Sequence, residues 1–467
     1  MKTTIEQRTE AFLKAEREAG AFAWTTATGQ PYWSWLRNDL IHLLLRGGQA
    51  APKTFKKDRP LQKALRLIRI LTRWLSVLVT GPTERYRYLV VANSRMQNDQ
   101  GVQYDVFLDD TLQKIAHQSL IIENYDNKGA LPYLYPDHLL YLPLVLRPLF
   151  RDAWINRWIK EDFAELQDWL RAYYPEQSID LLYLKRIYFW NYLDYYTYRL
   201  LVRRLKSKAI FFIKVGLPHG LLRAAREQSI PTLEVQHGMP YRYADPSAHW
   251  PQKLPEEQLP PIDYMLAFHR YLEKVNEYPH RKIVVIGNRI LAKKKNISPQ
   301  LRDQWQTLLV VHQVQTETSM EELVARFLVA HTGWQVIFKV KPDAFDDLER
   351  LRQHFKGESR IQLIAGERSM TDILDEVHAV LLTQSTAFYE ALYRQVKCLV
   401  YRRSQYTMFR DHFDFPNVYL IDDIPDLTHA LRQPTLALDE AQLAEFYQDF
   451  DAAALDQVLT EINSNTH

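Results

Sequence analysis

Two short stretches of this 467-residue chain carry the residue types best suited to chemistry. The first is Gln236-His237-Gly238, which follows the β-rich run 232–235. An imidazole titrates near neutral pH and can take a proton from a hydroxyl group. The glycine beside it lets a ligand or a second stretch of backbone come close. The second is Ser385-Thr386, where the apolar run 379–382 ends and a helix over 387–394 is expected to begin. A helix opening offers unpaired N–H groups and a positive dipole end, and the two hydroxyls add donors, so the pair suits a phosphate. Ordinary N-capping is the plainer reading of the same residues. Their place at the edge of a sheet, where open α/β folds hold ligands, favours the phosphate. Glu390, a turn further along, belongs to this stretch.

Supporting groups sit at other expected strand ends. Lys339 and Lys341 lie two apart at the end of the run 334–340, so they share a face and could neutralise a diphosphate. His312 and Gln313 close the run 308–311, and Arg368 lies in a loop suited to a base or ribose. On the other half, the run 86–92 closes on Asn93-Ser94-Arg95, and the loop 96–105 ends at Asp105, a second candidate base after His237. Arg95, Gln236 and Gly238 fall on the His237 side of the expected cleft. No His-Glu-x-x-His or Cys-x-x-Cys is present, so no metal site is expected. Walker-type and Gly-x-Ser-x-Gly loops are also missing.

These residues need a scaffold that brings strand ends together. Apolar runs at 86–92, 120–123, 209–215, 232–235, 264–268 and 283–286 alternate with helical stretches, among them 183–206 and 221–228. A second series follows at 308–311, 334–340, 361–364, 379–382, 396–401 and 418–421. Strand–helix alternation with apolar strands means parallel, doubly wound sheets. The expected architecture is α/β: two Rossmann-like domains facing across a cleft, with added N-terminal helices. The divisions expected are 1–290 (the first Rossmann-like domain with a helical extension), 291–440 (the second Rossmann-like domain) and 441–467, a closing helix that packs back across the cleft. Residues 124–183 read as mostly helical around a proline-rich loop, and 183–206 as a deeply packed aromatic helix.

Bulk properties agree. The length implies two domains of roughly 200 residues each. A 46% hydrophobic and 25% charged composition is that of a globular protein, and a formal charge of +3 gives no reason to expect nucleic acid. Cys398, the single cysteine, excludes an internal disulfide and reads as a buried strand residue. The N-terminal residues lack a signal-peptide core, and no run of roughly 20 apolar residues occurs, so a cytoplasmic location is expected. The stretch that opens at Phe55 and closes at Val79 is basic and amphipathic. It is either an ordinary surface helix or a contact to the inner face of the cytoplasmic membrane.

The order of Ala224 to Gly238, Pro261-Ile262-Asp263-Tyr264, Ile286-Gly287-Asn288, Phe338 to Pro342 and Gln384 to Leu392 resembles GT-B glycosyltransferases of bacterial capsule and surface-polysaccharide biosynthesis. That group is similar in architecture to polysialyltransferases and teichoic-acid glycerophosphotransferases. The resemblance spans roughly residues 85 to 430. It implies a nucleotide-sugar donor, a surface-glycan or lipid-linked acceptor, no cofactor and no metal. It also implies phosphate contacts at Ser385-Thr386, a base at His237 and an acceptor on the His237 side. The chain departs from the pattern at Lys341-Pro342, where relatives carry His-Pro. A glycerol- or ribitol-phosphate transferase, a nucleotide-sugar epimerase, and a non-catalytic partner in polysaccharide assembly are the alternatives.

Overall fold

The computed structural model describes residues 5–45, 60–79, 85–92, 96–97, 102–123, 135, 137–146, 150–213, 219–238, 243, 246, 249–251, 262–278, 280–312, 318–340, 345–365, 368–403 and 406–464. Fifteen strands occur in it: β1 (Tyr88–Ala92), β2 (Met96–Gln97), β3 (Gln103–Tyr104), β4 (Ser119–Glu123), β5 (His138–Leu140), β6 (Ala209–Ile213), β7 (Thr232–Val235), β8 (Ile262–Ala267), β9 (His280–Val285), β10 (Thr307–Val311), β11 (Gln335–Lys339), β12 (Ile361–Ile364), β13 (Ala379–Leu382), β14 (Lys397–Tyr401) and β15 (Val418–Ile421).

Seven of them form one parallel sheet in the order β5-β4-β1-β6-β7-β8-β9, and six form a second in the order β12-β11-β10-β13-β14-β15. In each sheet the first strand sits inside and the chain winds outward both ways. This is the doubly wound order whose reversal point opens a crevice at the strands' carboxyl ends. Strands β1, β4, β6, β7, β13 and β14 are buried along their whole length, as the mostly apolar strands of a parallel sheet are when helices cover both faces. The architecture is α/β, with the two doubly wound parallel sheets expected from the sequence. Cys398 lies fully buried in β14, and burial pushes its thiol pKa up.

The helices follow from local signals. Asp180 caps the helix Leu181–Leu205 by accepting from Leu182 N, and Lys206 ends it in the left-handed region at φ 49°. The next helix, His219–Arg226, packs so closely on it that a β-carbon at Gly220 would lie 2.5 Å from Tyr195 N. Helices Ile5–Glu18 and Trp33–Leu45 add an aromatic layer. There Phe12, Trp24, Trp33 and Trp169 meet ring on ring, and buried Arg37 pairs with Glu16 at 2.5 Å.

Two elements differ from expectation. Residues 138–140 form β5, an edge strand beside β4, inside a stretch read as helix and loop. The closing segment is two helices, Glu440–Ala444 and Ala452–Ser464, with a break between them. The break has a cause: Gln448 N donates to Phe268 O, Asn288 N to Gln448 O, and Asp451 N to Ile286 O. Those groups serve the first domain and cannot also serve a helix ladder. The final helix then lies on that domain, through Lys114–Asp456 (2.5 Å), Lys282–Glu461 (2.7 Å) and Arg87–Asn463 (2.9 Å).

Candidate functional site

Strand β7 delivers Gln236-His237-Gly238 at the carboxyl edge of the first sheet, and β13 delivers Thr383-Gln384-Ser385-Thr386 at that of the second. The two edges meet. A β-carbon built on Gly238, whose φ is +156°, would lie 3.5 Å from Thr386 Cγ2. The structure thus brings together the two stretches that the sequence marks out.

Gln236 shapes its turn from inside. Its side chain is almost wholly buried. Oε1 accepts from Phe268 N at 2.6 Å, and Nε2 donates to Gly238 O at 2.9 Å and meets His269 Nε2 at 2.5 Å. Gln236 therefore fixes the turn and is not exposed toward an acceptor, which corrects the acceptor-side expectation. His237, half-buried, lies against Phe107, with ring centroids 4.9 Å apart, and Phe107 stacks on Phe268 at 6.0 Å. An aromatic floor of this kind holds an imidazole in one orientation.

Across the cleft, Ser385 Oγ accepts from Ala387 N at 3.2 Å at the start of helix Ala387–Tyr393. Thr386 makes no side-chain cap, so its hydroxyl is left to other partners. Thr383 is fully buried, and its hydroxyl has no hydrogen-bond partner among the described residues. Glu390 is half-buried, and burial raises its pKa to about 7, with Arg394 opposing the shift. A carboxyl group at that value exchanges protons near neutral pH. The helix ends in a left-handed Gln395 (φ 58°), and Val396 N returns to Ala391 O.

Other expected site residues have structural partners. Lys339 donates to Ala365 O at 2.5 Å and to Arg368 O. It clamps the loop after β12 and does not present a free ammonium to a diphosphate, a correction to the expected role. The Arg368 guanidinium pairs with Glu376 at 2.7 Å. Asp105 is fully buried and accepts from Phe107 N at 3.0 Å, while its carbonyl receives Asp109 N. These bonds start the helix Asp109–Ile115, so Asp105 positions Phe107 and is shut off from an acceptor hydroxyl. Buried His312 sits 3.6 Å from Glu321, which Arg350 also holds at 2.7 Å. Arg95, Gln313 and Lys341 lie outside the described residues. No group of three or more metal-binding side chains occurs among the described residues.

Residues the sequence reading passed over complete the junction. His269 follows β8 as His237 follows β7, and the same strand-end rule would have found it. Burial and nearby His412 push its pKa down to about 3, so it is neutral. His412 itself, buried among Tyr271, Phe388, Tyr389 and Phe446, is pushed down to about 4, mainly by burial. Tyr243 and Tyr271 both donate to Asp411, at 2.8 and 2.7 Å, across the domain boundary. Gly287 (φ +68°) marks the crossing of the C-terminal segment, since a β-carbon there would fall 2.1 Å from Asp449 O.

No protein-family model matches the chain, and no curated protein matches its sequence. Solved structures do match. A UDP-GlcNAc 2-epimerase from Methanocaldococcus jannaschii is 14% identical with a TM-score of 0.46, covering 80% of this chain and 99% of its own. MurG from Acinetobacter baumannii is 11% identical with a TM-score of 0.45, covering 81% and 99%. A glycosyltransferase from Rickettsia africae is 10% identical with a TM-score of 0.46, covering 82% and 100%. The fold assignment rests on strand order and on the facing sheet edges.

Proposed function

We propose that the chain is a nucleotide-sugar-dependent glycosyltransferase acting on a surface-glycan or lipid-linked acceptor. The observation that carries this reading is the approach of Gly238 to Thr386, which sets a histidine turn opposite a hydroxyl-bearing helix opening. In the reaction, His237 takes the proton of an acceptor hydroxyl. The oxygen forms its bond to the anomeric carbon of the donor. The bond from that carbon to the nucleotide's phosphate breaks, and its electron pair leaves on the phosphate oxygen. Ser385, Thr386 and the backbone N–H groups beside them stabilise the charge that develops there. Glu390 offers a carboxyl group to a hydroxyl of the donor. The reading calls on no metal.

Thermal-shift screening against UDP-, GDP- and CMP-sugars and CDP-glycerol tests it. A shift with one family of nucleotide-sugars is the expected result. A shift with CDP-glycerol alone would replace the sugar donor by a phosphoalditol donor. No shift with any nucleotide would favour a non-catalytic partner in polysaccharide assembly.

A further inference from the structure

We infer that the helical side of the first domain is a docking face for an anionic lipid bilayer, centred on Trp154 and Trp158. The two tryptophans lie four residues apart on helix Asp152–Trp158 and are 53% and 58% exposed. They are held in place. Ile155 is buried beneath them, Asp152 is neutralised by Arg186 at 2.6 Å, and Trp158 rests on Phe150 (5.9 Å) and Phe189 (5.8 Å). Arg151, Arg157 and Lys160 are their near neighbours along the chain, exposed and without an ion pair among the described residues.

The surface continues along neighbouring elements. Phe189, Tyr196 and Leu200 fall at i, i+7 and i+11 of helix Leu181–Leu205, hence on one face, and the last two are exposed. Arg204 then donates to Leu78 O at 2.6 Å, joining this helix to Pro60–Val79. That third helix buries Ile70 and Trp74 and leaves Ile68, Leu75 and Val79 exposed on its opposite side. Large apolar side chains in such a series are rare on a surface that meets only water. Tryptophans among unpaired cations match the headgroup layer of an anionic membrane, where the ring is half-buried and each cation meets a lipid phosphate. The inference widens the membrane contact read from residues 55–79 to three helices. It stands apart from the nucleotide-sugar reading.

The test is co-sedimentation of the full chain with phosphatidylcholine vesicles, with and without phosphatidylglycerol, and quenching of tryptophan fluorescence by brominated acyl chains. The wild type should bind the anionic vesicles and be quenched. Trp154→Ala/Trp158→Ala should weaken binding about tenfold or more and remove most of the quenching. Arg151→Gln/Arg157→Gln/Lys160→Gln should weaken it roughly fivefold per charge. Circular dichroism and nucleotide-induced thermal shifts, unchanged in both variants, separate this result from the fate of the transferase reading. Absence of wild-type binding to anionic vesicles would overturn the inference. So would equal binding by both variants, including the case in which only Ile68→Asn/Leu75→Asn abolishes it.

Discussion

Gly238 and Thr386 belong to different sheets, yet a β-carbon on the first would lie 3.5 Å from Cγ2 of the second. The approach places the two strand-end turns side by side where the sheet edges meet. Gly238→Ala is expected to cost about 1 kcal/mol because of its φ of +156°. Gly238→Val adds branches that push against Thr386, so it should also weaken nucleotide binding. Urea denaturation and calorimetric titration check both effects, and wild-type behaviour in the valine variant would show that the contact is not tight.

Ser385 and Lys339 separate a binding role from a structural one. Ser385→Ala removes the oxygen that accepts from Ala387 N and should cost about 1 kcal/mol of stability. With Thr386→Val added, nucleotide affinity should fall at least about tenfold. Lys339→Met should instead destabilise the domain by roughly 1–3 kcal/mol, because Ala365 O and Arg368 O lose their donor. Denaturation curves beside nucleotide titrations distinguish the two patterns.

Much of this scaffold is legible from residue pattern alone. Strands 232–235, 361–364, 379–382 and 418–421 match expectation at both ends, since each is an apolar run closed by turn or polar residues. Strand β5 was not legible. It is three residues long, lies between Pro136 and Pro143, and owes its existence to pairing with β4. The cleft residues divide in the same way. The strand-end positions of His237 and Ser385-Thr386 are legible in the sequence. The roles of Lys339, Asp105 and Gln236 depend on carbonyl and amide groups that only the fold brings to them. Alternation along β11 gives the face of Lys339, and nothing local announces the Ala365 and Arg368 carbonyls.

Gly287 is expected to be the least tolerant position at the crossing of the C-terminal segment. A β-carbon there would overlap Asp449 O at 2.1 Å and occupy a left-handed φ of 68°. Gly287→Ala should destabilise the protein by about 3 kcal/mol or more. Limited proteolysis should then cut between the two last helices, and an unchanged cleavage pattern would contradict the docking of this segment.

The His269–His412 pair gives stability a pH dependence. Both are neutral in the fold, with pKa values near 3 and 4 against an ordinary 6.5. Below pH 6.5 the unfolded chain binds more protons, so stability falls as pH drops from about 7 toward 4. Asp411 and Glu445 favour the charged form of His412, and Lys274 opposes it. Each histidine should cost about 2 kcal/mol at pH 5. His412→Phe, placed among aromatic rings, should flatten the dependence of Tm on pH, and an unaltered slope would assign it to other groups.

Calorimetric titration of a nucleotide-sugar into the wild type, His237→Ala and Ser385→Ala/Thr386→Val tests the cleft most directly, with turnover followed on the same samples. Binding should persist in His237→Ala while turnover disappears, and should be lost in the double variant. Binding unaffected by the double variant, or near-normal turnover without His237, would contradict the assignment of the two facing stretches.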